Sequence, residues 1–300
     1  MIFTPPVDIP HNKRDTYIHN LETVTGGTGR LFLFAGDQKV EHLNKDFVGS
    51  QIAPEDASPQ HLFRIAAQAK IGAFAAQLGL IAEYGADAPH VPYIVKLNAK
   101  TDIVPVTQKD PYSATWTRVE DVLTFQKNSK LHIAGVGYTI YPGSIYESEM
   151  LATAAQHVFA AHQAGLIAVI WAYPRGEAVK DERDPHLTAG VAGIAAAMGA
   201  DYVKINPPKG GNSVESATLL KEAVAAAGRT KVICAGGASM DEKTFLQTLH
   251  DQIHIGGAMG NATGRNVHQR PLDEAVKLCN AIYAVTIENK NVKDAIENTS

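Results

Sequence analysis

Cysteine is nearly missing from this 300-residue chain: there are two, Cys234 and Cys279. Two cysteines exclude a disulfide framework, and their apolar sequence surroundings fit packed thiols in a reducing compartment. Long hydrophobic runs are missing too. The best, residues 166–173, falls far short of the roughly 20 residues of a membrane helix. The N-terminus has no charged stretch followed by an apolar one, so no signal peptide is expected. Basic runs are lacking, and the net charge of −4 gives no reason to expect nucleic-acid binding. A soluble, cytoplasmic protein is the expectation. There is no Walker-type loop. The segment Thr25-Gly26-Gly27-Thr28-Gly29 precedes a strand instead of following one, which is the wrong context for a dinucleotide fingerprint. Among 12 histidines only His250 and His254 have helical spacing, and they do not complete a zincin-like metal motif. No low-complexity linker or compositional break divides the chain, so one domain is expected.

What is present is a 45% apolar composition, enough for a large core. Strand-like apolar runs fall at 31–35, 71–75, 91–97, 132–140, 166–173, 202–206, 231–235 and 254–259. Alanine-rich amphipathic stretches lie between them, such as Glu147–Ala164 and Ser213–Ala227. Strand–helix alternation argues for parallel strands, and unbroken apolar runs fit strands covered on both faces. Eight units predict an α/β fold, a single closed (β/α)8 TIM barrel over 31–285. An open doubly wound sheet is the competing topology. Residues 1–30 read as an N-terminal extension that covers the barrel bottom or a neighbouring subunit. Residues 286–300 read as a C-terminal tail. Residues 102–118 form a long polar insertion after the third strand.

In such barrels the active site lies at the C-terminal strand ends. The polar residues there are Asp37 after the first strand, Lys96 and Asn98 at the third, Trp171, Tyr173 and Arg175 at the fifth, and Lys204 and Asn206 at the sixth. Side chains alternate faces along a strand, so on one choice of face Asp37, Tyr173 and Lys204 share a pocket. Lys204 points either to solvent or into the barrel. A desolvated lysine loses part of its charge and becomes a nucleophile able to form an imine with a ketone. Glycine segments end the seventh strand (Gly236, Gly237) and follow the eighth (Gly257 to Gly264, then Arg265). Barrels frequently bind phosphate with these two loops.

The chain resembles the archaeal-type class I fructose-bisphosphate aldolases, within the group that includes deoxyribose-phosphate aldolase. The resemblance covers roughly 31–285. It rests on Val91 to Asn98 (VPYIVKLN), Gly137 to Ser144 (GYTIYPGS), Trp171 to Gly176 (WAYPRG), Tyr202 to Ile205 (YVKI) and Gly264 to Gln269 (GRNVHQ). It implies that Lys204 forms the Schiff base, Tyr173 transfers a proton, and Asp37 assists carbinolamine formation and dehydration. Trp171 would wall the pocket, with Lys96 and Asn98 as further substrate-binding residues. Gly236, Gly237, Gly264 and Arg265 would hold a phosphate. Arg175 is either a second anion site or a structural partner of loop carboxylates. The implied substrate is a sugar phosphate, with no metal or other cofactor because the protonated imine is the electron sink. A homo-oligomer, a decamer by resemblance, is also implied. Departures are Lys39, where the family has glycine, Ala235 in place of serine, and the exit Asn206-Pro207-Pro208. They keep open a transaldolase-like or acyl-transfer reaction on another sugar phosphate, and a non-catalytic sugar-phosphate-binding barrel.

Overall fold

A computed structural model describes residues 3–103 and 109–297. Part of the insertion at 102–118 and the two chain ends lie outside the described residues. Eight parallel strands close into a barrel: β1 (Leu31–Ala35), β2 (Ala73–Gln77), β3 (Tyr93–Lys96), β4 (Ile133–Ile140), β5 (Ile167–Ala172), β6 (Tyr202–Ile205), β7 (Lys231–Ala235) and β8 (Gly260–Thr263). Every neighbour in chain order pairs, and β1 pairs with β8 to complete the ring. This is the (β/α)8 barrel. The open sheet is excluded by the β1–β8 ladder, in which Leu31 lies beside Gly260 and Phe34 beside Thr263.

The apolar strands form where Val, Ile, Leu and Phe run without interruption, because both faces are covered. All residues of β1, β4, β5 and β6 are buried. Connecting helices start on side-chain caps: Asp184 on the backbone N–H of His186 and Leu187, Asn212 on that of Glu215, Asp241 on that of Thr244. Each such cap contributes about 1 kcal/mol by satisfying a donor the helix cannot. The helices Glu147–Ala164 and Ser213–Ala227 have the boundaries their sequence pattern predicts.

Three strands differ by two residues or more from their predicted positions. The second and third start at Ala73 and Tyr93, each two residues later than expected. The eighth is not 254–259 but Gly260–Thr263. His254 instead ends the helix Glu242–His254, and the next residues descend beside the helix Ser213–Ala227, with Ala258 N–H bonded to the Gln252 carbonyl. The strand that closes the barrel is therefore Gly-Asn-Ala-Thr, with no apolar run to announce it. Its polar side chains satisfy one another: Asn261 Nδ2 donates to Thr286 Oγ1 at 2.8 Å, and Thr263 Oγ1 donates to Asn261 Oδ1 at 2.8 Å. Gly260 has φ +130°, and a Cβ there would meet the Leu31 carbonyl at 1.9 Å, so only glycine fits this seam.

The helix Arg14–Thr25 lies against the N-terminal ends of the strands. Its Tyr17 hydroxyl donates to Asp201 just before β6, and Asn20 Nδ2 donates to the Gly165 carbonyl ahead of β5 at 2.9 Å. Asp8 reaches His162, whose other ring nitrogen meets Asp201. These bonds close the barrel bottom. At the other end of the chain, Val292–Glu297 forms a short helix that buries Val292 and Ala295. Among the described residues, no helix is long and apolar enough to cross a membrane.

Candidate active site

The C-terminal strand ends open into a cavity of about 1080 Å³. Asp37, Tyr173, Arg175, Lys204, Gly236, Gly237, Gly264 and Arg265 all line it. Its floor is set by β4 and β5. A Cβ at Gly137 would sit 2.2 Å from the Trp171 ring, so the missing side chain makes room for the indole inside the barrel. Trp171 is fully buried and lies opposite Lys204 in the β5–β6 register. The Lys204 amine sits 5.4 Å from the indole centroid and the Lys96 amine 5.1 Å from it. The indole is thus beneath two amines and is not itself among the residues that line the cavity.

Those amines differ in their partners. Lys96 Nζ lies 2.9 Å from Glu41 Oε1 and 3.6 Å from Asp37 Oδ2, and donates to the Asn98 carbonyl at 3.3 Å. Burial works against its charge, but Glu41 and Asp37 outweigh burial and hold the ammonium above the ordinary lysine range. Lys204 is 5% exposed, and its amine makes no hydrogen bond among the described residues. Burial lowers its pKa; Asp37 and Glu41 oppose the shift, while Lys96 and Arg265 add to it. A neutral amine at a barrel mouth is a nucleophile.

Tyr173 reaches the cavity from the exit of β5. Burial, then the charges of Glu41 and Asp37, raise its phenol well above the usual range. It therefore keeps its proton near neutral pH and offers the cavity a hydroxyl that both donates and accepts. Its ring stacks against Tyr141 at 6.4 Å, and the Arg175 guanidinium lies 5.0 Å from it. Arg175 Nε donates to Glu182 Oε2 at 2.6 Å. Asp37 is 1% exposed, and its Oδ1 has no hydrogen-bond partner among the described residues.

On the far wall, Gly236, Gly237 and Gly264 bring backbone to the cavity beside Arg265. Arg265 Nη1 is 3.7 Å from Asp46 Oδ2, while its Nε is buried and unpartnered among the described residues. A buried donor without an acceptor costs about 1–3 kcal/mol, and an anionic ligand oxygen would satisfy it. Gly257, the start of the predicted eighth-strand glycine segment, is not part of this wall; it precedes β8, at the opposite end of the strand.

Asn98 also falls outside the cavity. Its amide is engaged by backbone: Nδ2 donates to the Ser113 and Thr139 carbonyls, and Oδ1 accepts from Thr139 N–H at 2.7 Å. It ties the short ribbon Asn98–Ala99/Ala114–Thr115 to β4, which leaves it no free group for a substrate. Lys96 likewise does not line the cavity. Lys39 turns away from it, donating to the Ala57 carbonyl at 2.9 Å over the Phe47 ring. Sequence reading did not single out Glu41, His42 or Arg183, which all line the cavity. Glu41 had a signal: it lies four residues after Asp37 in the single-turn helix Gln38–Glu41, so both carboxylates share a face.

Known proteins place this geometry. Residues 31–270 match the family model described as DeoC/LacD family aldolase. A Methanocaldococcus jannaschii protein named fructose-bisphosphate aldolase/6-deoxy-5-ketofructose 1-phosphate synthase is 55% identical over 292 residues, 97% of this chain and 93% of that one. A fructose-bisphosphate aldolase structure from Slackia heliotrinireducens is 53% identical and superposes with a TM-score of 0.96, covering 99% of this chain and 93% of the other. An archaeal fructose-1,6-bisphosphate aldolase, solved with its catalytic lysine covalently bound to the carbinolamine intermediate, is 30% identical with a TM-score of 0.76, covering 90% of this chain and 99% of that one. With a barrel whose mouth gathers amine, phenol and carboxylate, and a match over 240 consecutive residues, this chain belongs to the DeoC/LacD aldolase family.

Proposed function

We propose that this chain is a class I, Schiff-base-forming aldolase that interconverts fructose 1,6-bisphosphate with dihydroxyacetone phosphate and glyceraldehyde 3-phosphate. The observation that carries the reading is the buried, unpartnered amine of Lys204 within the same cavity as Asp37 and Tyr173. In cleavage, Lys204 Nζ adds to the substrate's C2 carbonyl to give a carbinolamine. Loss of water, with Asp37 Oδ1 as the free carboxylate oxygen beside it, gives the iminium. The C3–C4 electron pair then flows into the iminium as the C4 hydroxyl passes its proton to the Tyr173 oxygen, and the phenol's own proton goes to C3, so Tyr173 stays neutral throughout. The aldehyde leaves, the enamine is protonated at C3, and water releases dihydroxyacetone phosphate. Gly236, Gly237, Gly264 and the free Nε of Arg265 support a phosphate site for the donor half.

One observation favours a second substrate. Arg175 is paired with Glu182, and Arg183 donates to the Pro207 and Pro208 carbonyls. Arg183 is thus engaged through two nitrogens and Arg175 through its Nε, which leaves fewer donors for a second phosphate and suits an acceptor aldehyde without one. The M. jannaschii relative's second name belongs to a product with one phosphate. Of the two departures that kept other lysine-dependent reactions open, Lys39 faces away from the cavity, whereas Ala235 lines it. The resemblance further supports a cytoplasmic homo-oligomer of decameric size, which light scattering on the full chain checks.

The deciding experiment is borohydride reduction in the presence of dihydroxyacetone phosphate, followed by peptide mass spectrometry. The expected adduct is on Lys204. Lys204→Ala is expected to abolish both the adduct and cleavage; cleavage retained in that variant overturns the assignment. A panel of phosphorylated and unphosphorylated aldehydes separates the two substrates.

A further inference from the structure

Lys96 is fully buried, yet the cavity does not reach it. An amine withdrawn from substrate but clamped between two carboxylates needs a different role from the substrate contact its strand-end position suggests. We propose that Lys96 is a positioning residue: its ammonium fixes Asp37 and Glu41 at the cavity wall and leaves Lys204 as the amine that reacts. The inference rests on the Schiff-base reading of Lys204 and assigns what that reading leaves open, namely why one of two neighbouring lysines is the nucleophile.

The geometry carries it. Both amines lie over one indole, 5.1 and 5.4 Å from its centroid. Lys96 has Glu41 at 2.9 Å, Asp37 at 3.6 Å and the Asn98 carbonyl at 3.3 Å, whereas Lys204 has none of these bonds. Asn98 is in turn locked by Thr139 and Ser113, so the carbonyl that receives Lys96 is fixed to β4. The nucleophile is the amine left over once the other has taken the acceptors.

Charge counting gives the arrangement a catalytic meaning. With Lys204 neutral, the set of Lys96, Asp37 and Glu41 carries an excess of one negative charge, the charge of Arg265 being offset by Asp46. Forming the iminium on Lys204 adds one positive charge and balances the set. A site balanced at the cationic intermediate, and not in the resting enzyme, stabilises what it must make. Low dielectric makes that balance count for more than it would in water. The other charged or titratable groups facing Lys204 are Tyr173 from the β5 exit, with Arg175 over its ring, and Arg265 after β8. Tyr138 on β4 and Cys234 on β7 are buried nearby.

Two variants move the reactive amine in opposite directions. Lys96→Met leaves Asp37 and Glu41 without their cation, so they favour the ammonium form of Lys204. The acidic limb of kcat/KM, and the pH midpoint of borohydride trapping, are expected to shift upward by about one unit or more. Lys96→Arg keeps the charge and is expected to restore most of the profile. Glu41→Gln removes one negative charge and is expected to shift both curves downward. If Lys96→Met does not fold, Glu41→Gln decides alone: a downward shift supports the proposal and an unmoved limb overturns it. A rise in KM for dihydroxyacetone phosphate with an unchanged pH profile in Lys96→Met would make Lys96 a substrate contact and overturn it. An adduct on Lys96 in the wild-type enzyme overturns it too. An adduct on Lys204 with unmoved profiles in both variants leaves the aldolase reading standing and removes only this one.

Discussion

The two ends of the barrel bury the same kinds of group and use them differently. At the bottom, Tyr17, Asp201, His162 and Asp8 form a chain in which each group meets the next. His162 Nδ1 is 2.7 Å from Asp8, its Nε2 is 3.2 Å from Asp201, and Asp201 also accepts from Ala168 N–H at 2.8 Å. At the top, Asp37 Oδ1 and Arg265 Nε are left without partners among the described residues. Satisfied polar clusters rigidify, and unsatisfied ones store a cost that a ligand can relieve. The bottom holds the strands in register. The top holds groups ready for a substrate that completes their hydrogen bonds.

The contrast is sharpest at Tyr173. Tyr173→Phe keeps the ring against Tyr141 and removes the proton. A loss of about 10²–10⁴-fold in kcat follows from removing a proton-transfer group, while borohydride trapping of dihydroxyacetone phosphate on Lys204 persists. An unchanged kcat would place proton transfer elsewhere. Arg265→Gln comes next. A charged hydrogen bond contributes about 1.5–3 kcal/mol, so KM for the phosphorylated donor is expected to rise roughly 10–100-fold with a smaller change in kcat. If KM holds, the glycine wall is not the phosphate site.

His162 tests the other end. Burial alone would lower its pKa, but Asp201 and Asp8 outweigh burial and raise it to about 9. A folded-state pKa above the unfolded value of about 6.5 stabilises the fold fully below pH 6.5. That contribution declines as pH rises and is gone above about 9. His162→Gln is therefore expected to lower the unfolding free energy at pH 6 by an amount on the order of a few kcal/mol and to flatten its fall between pH 6.5 and 9. Steady-state kinetics at 25 °C should hardly change; a large kinetic effect would break the division between the two ends. The smallest effect belongs to Lys39→Met. Losing one hydrogen bond to the Ala57 carbonyl and a cation–π contact costs about 1 kcal/mol or less of stability, with activity retained. A changed substrate preference in that variant would bring Lys39 back into the site.

Most of the barrel is legible because seven strands announce themselves by apolar runs. β8 does not, since Gly-Asn-Ala-Thr carries its hydrogen bonds in side chains and its fit in a glycine. The strand-end rule with period-two alternation brings Asp37, Tyr173 and Lys204 to one cavity. It does not separate Lys96 and Asn98 from that cavity, because whether a buried polar side chain faces ligand or protein depends on partners far away in sequence. Thr139 lies 41 residues from Asn98, and Glu41 lies 55 residues from Lys96. Glu41 itself is hidden for the same reason, although its spacing from Asp37 is a local clue.

The seam between β1 and β8 joins the two ends of the barrel sequence, and the site straddles it. Asp37 follows β1, while Gly264 and Arg265 follow β8. A growing chain that has not yet added its last strand can hold the amine of Lys204 but has only the Gly236–Gly237 part of the anion-binding wall. The same break recurs if the seam opens locally: the donor's phosphate site and the carboxylate part company while the remaining ladders stay paired. Sugar phosphate that bridges both sides would act as a clasp on that join, so enzyme saturated with donor should resist proteolysis between 254 and 270 more than the empty form does.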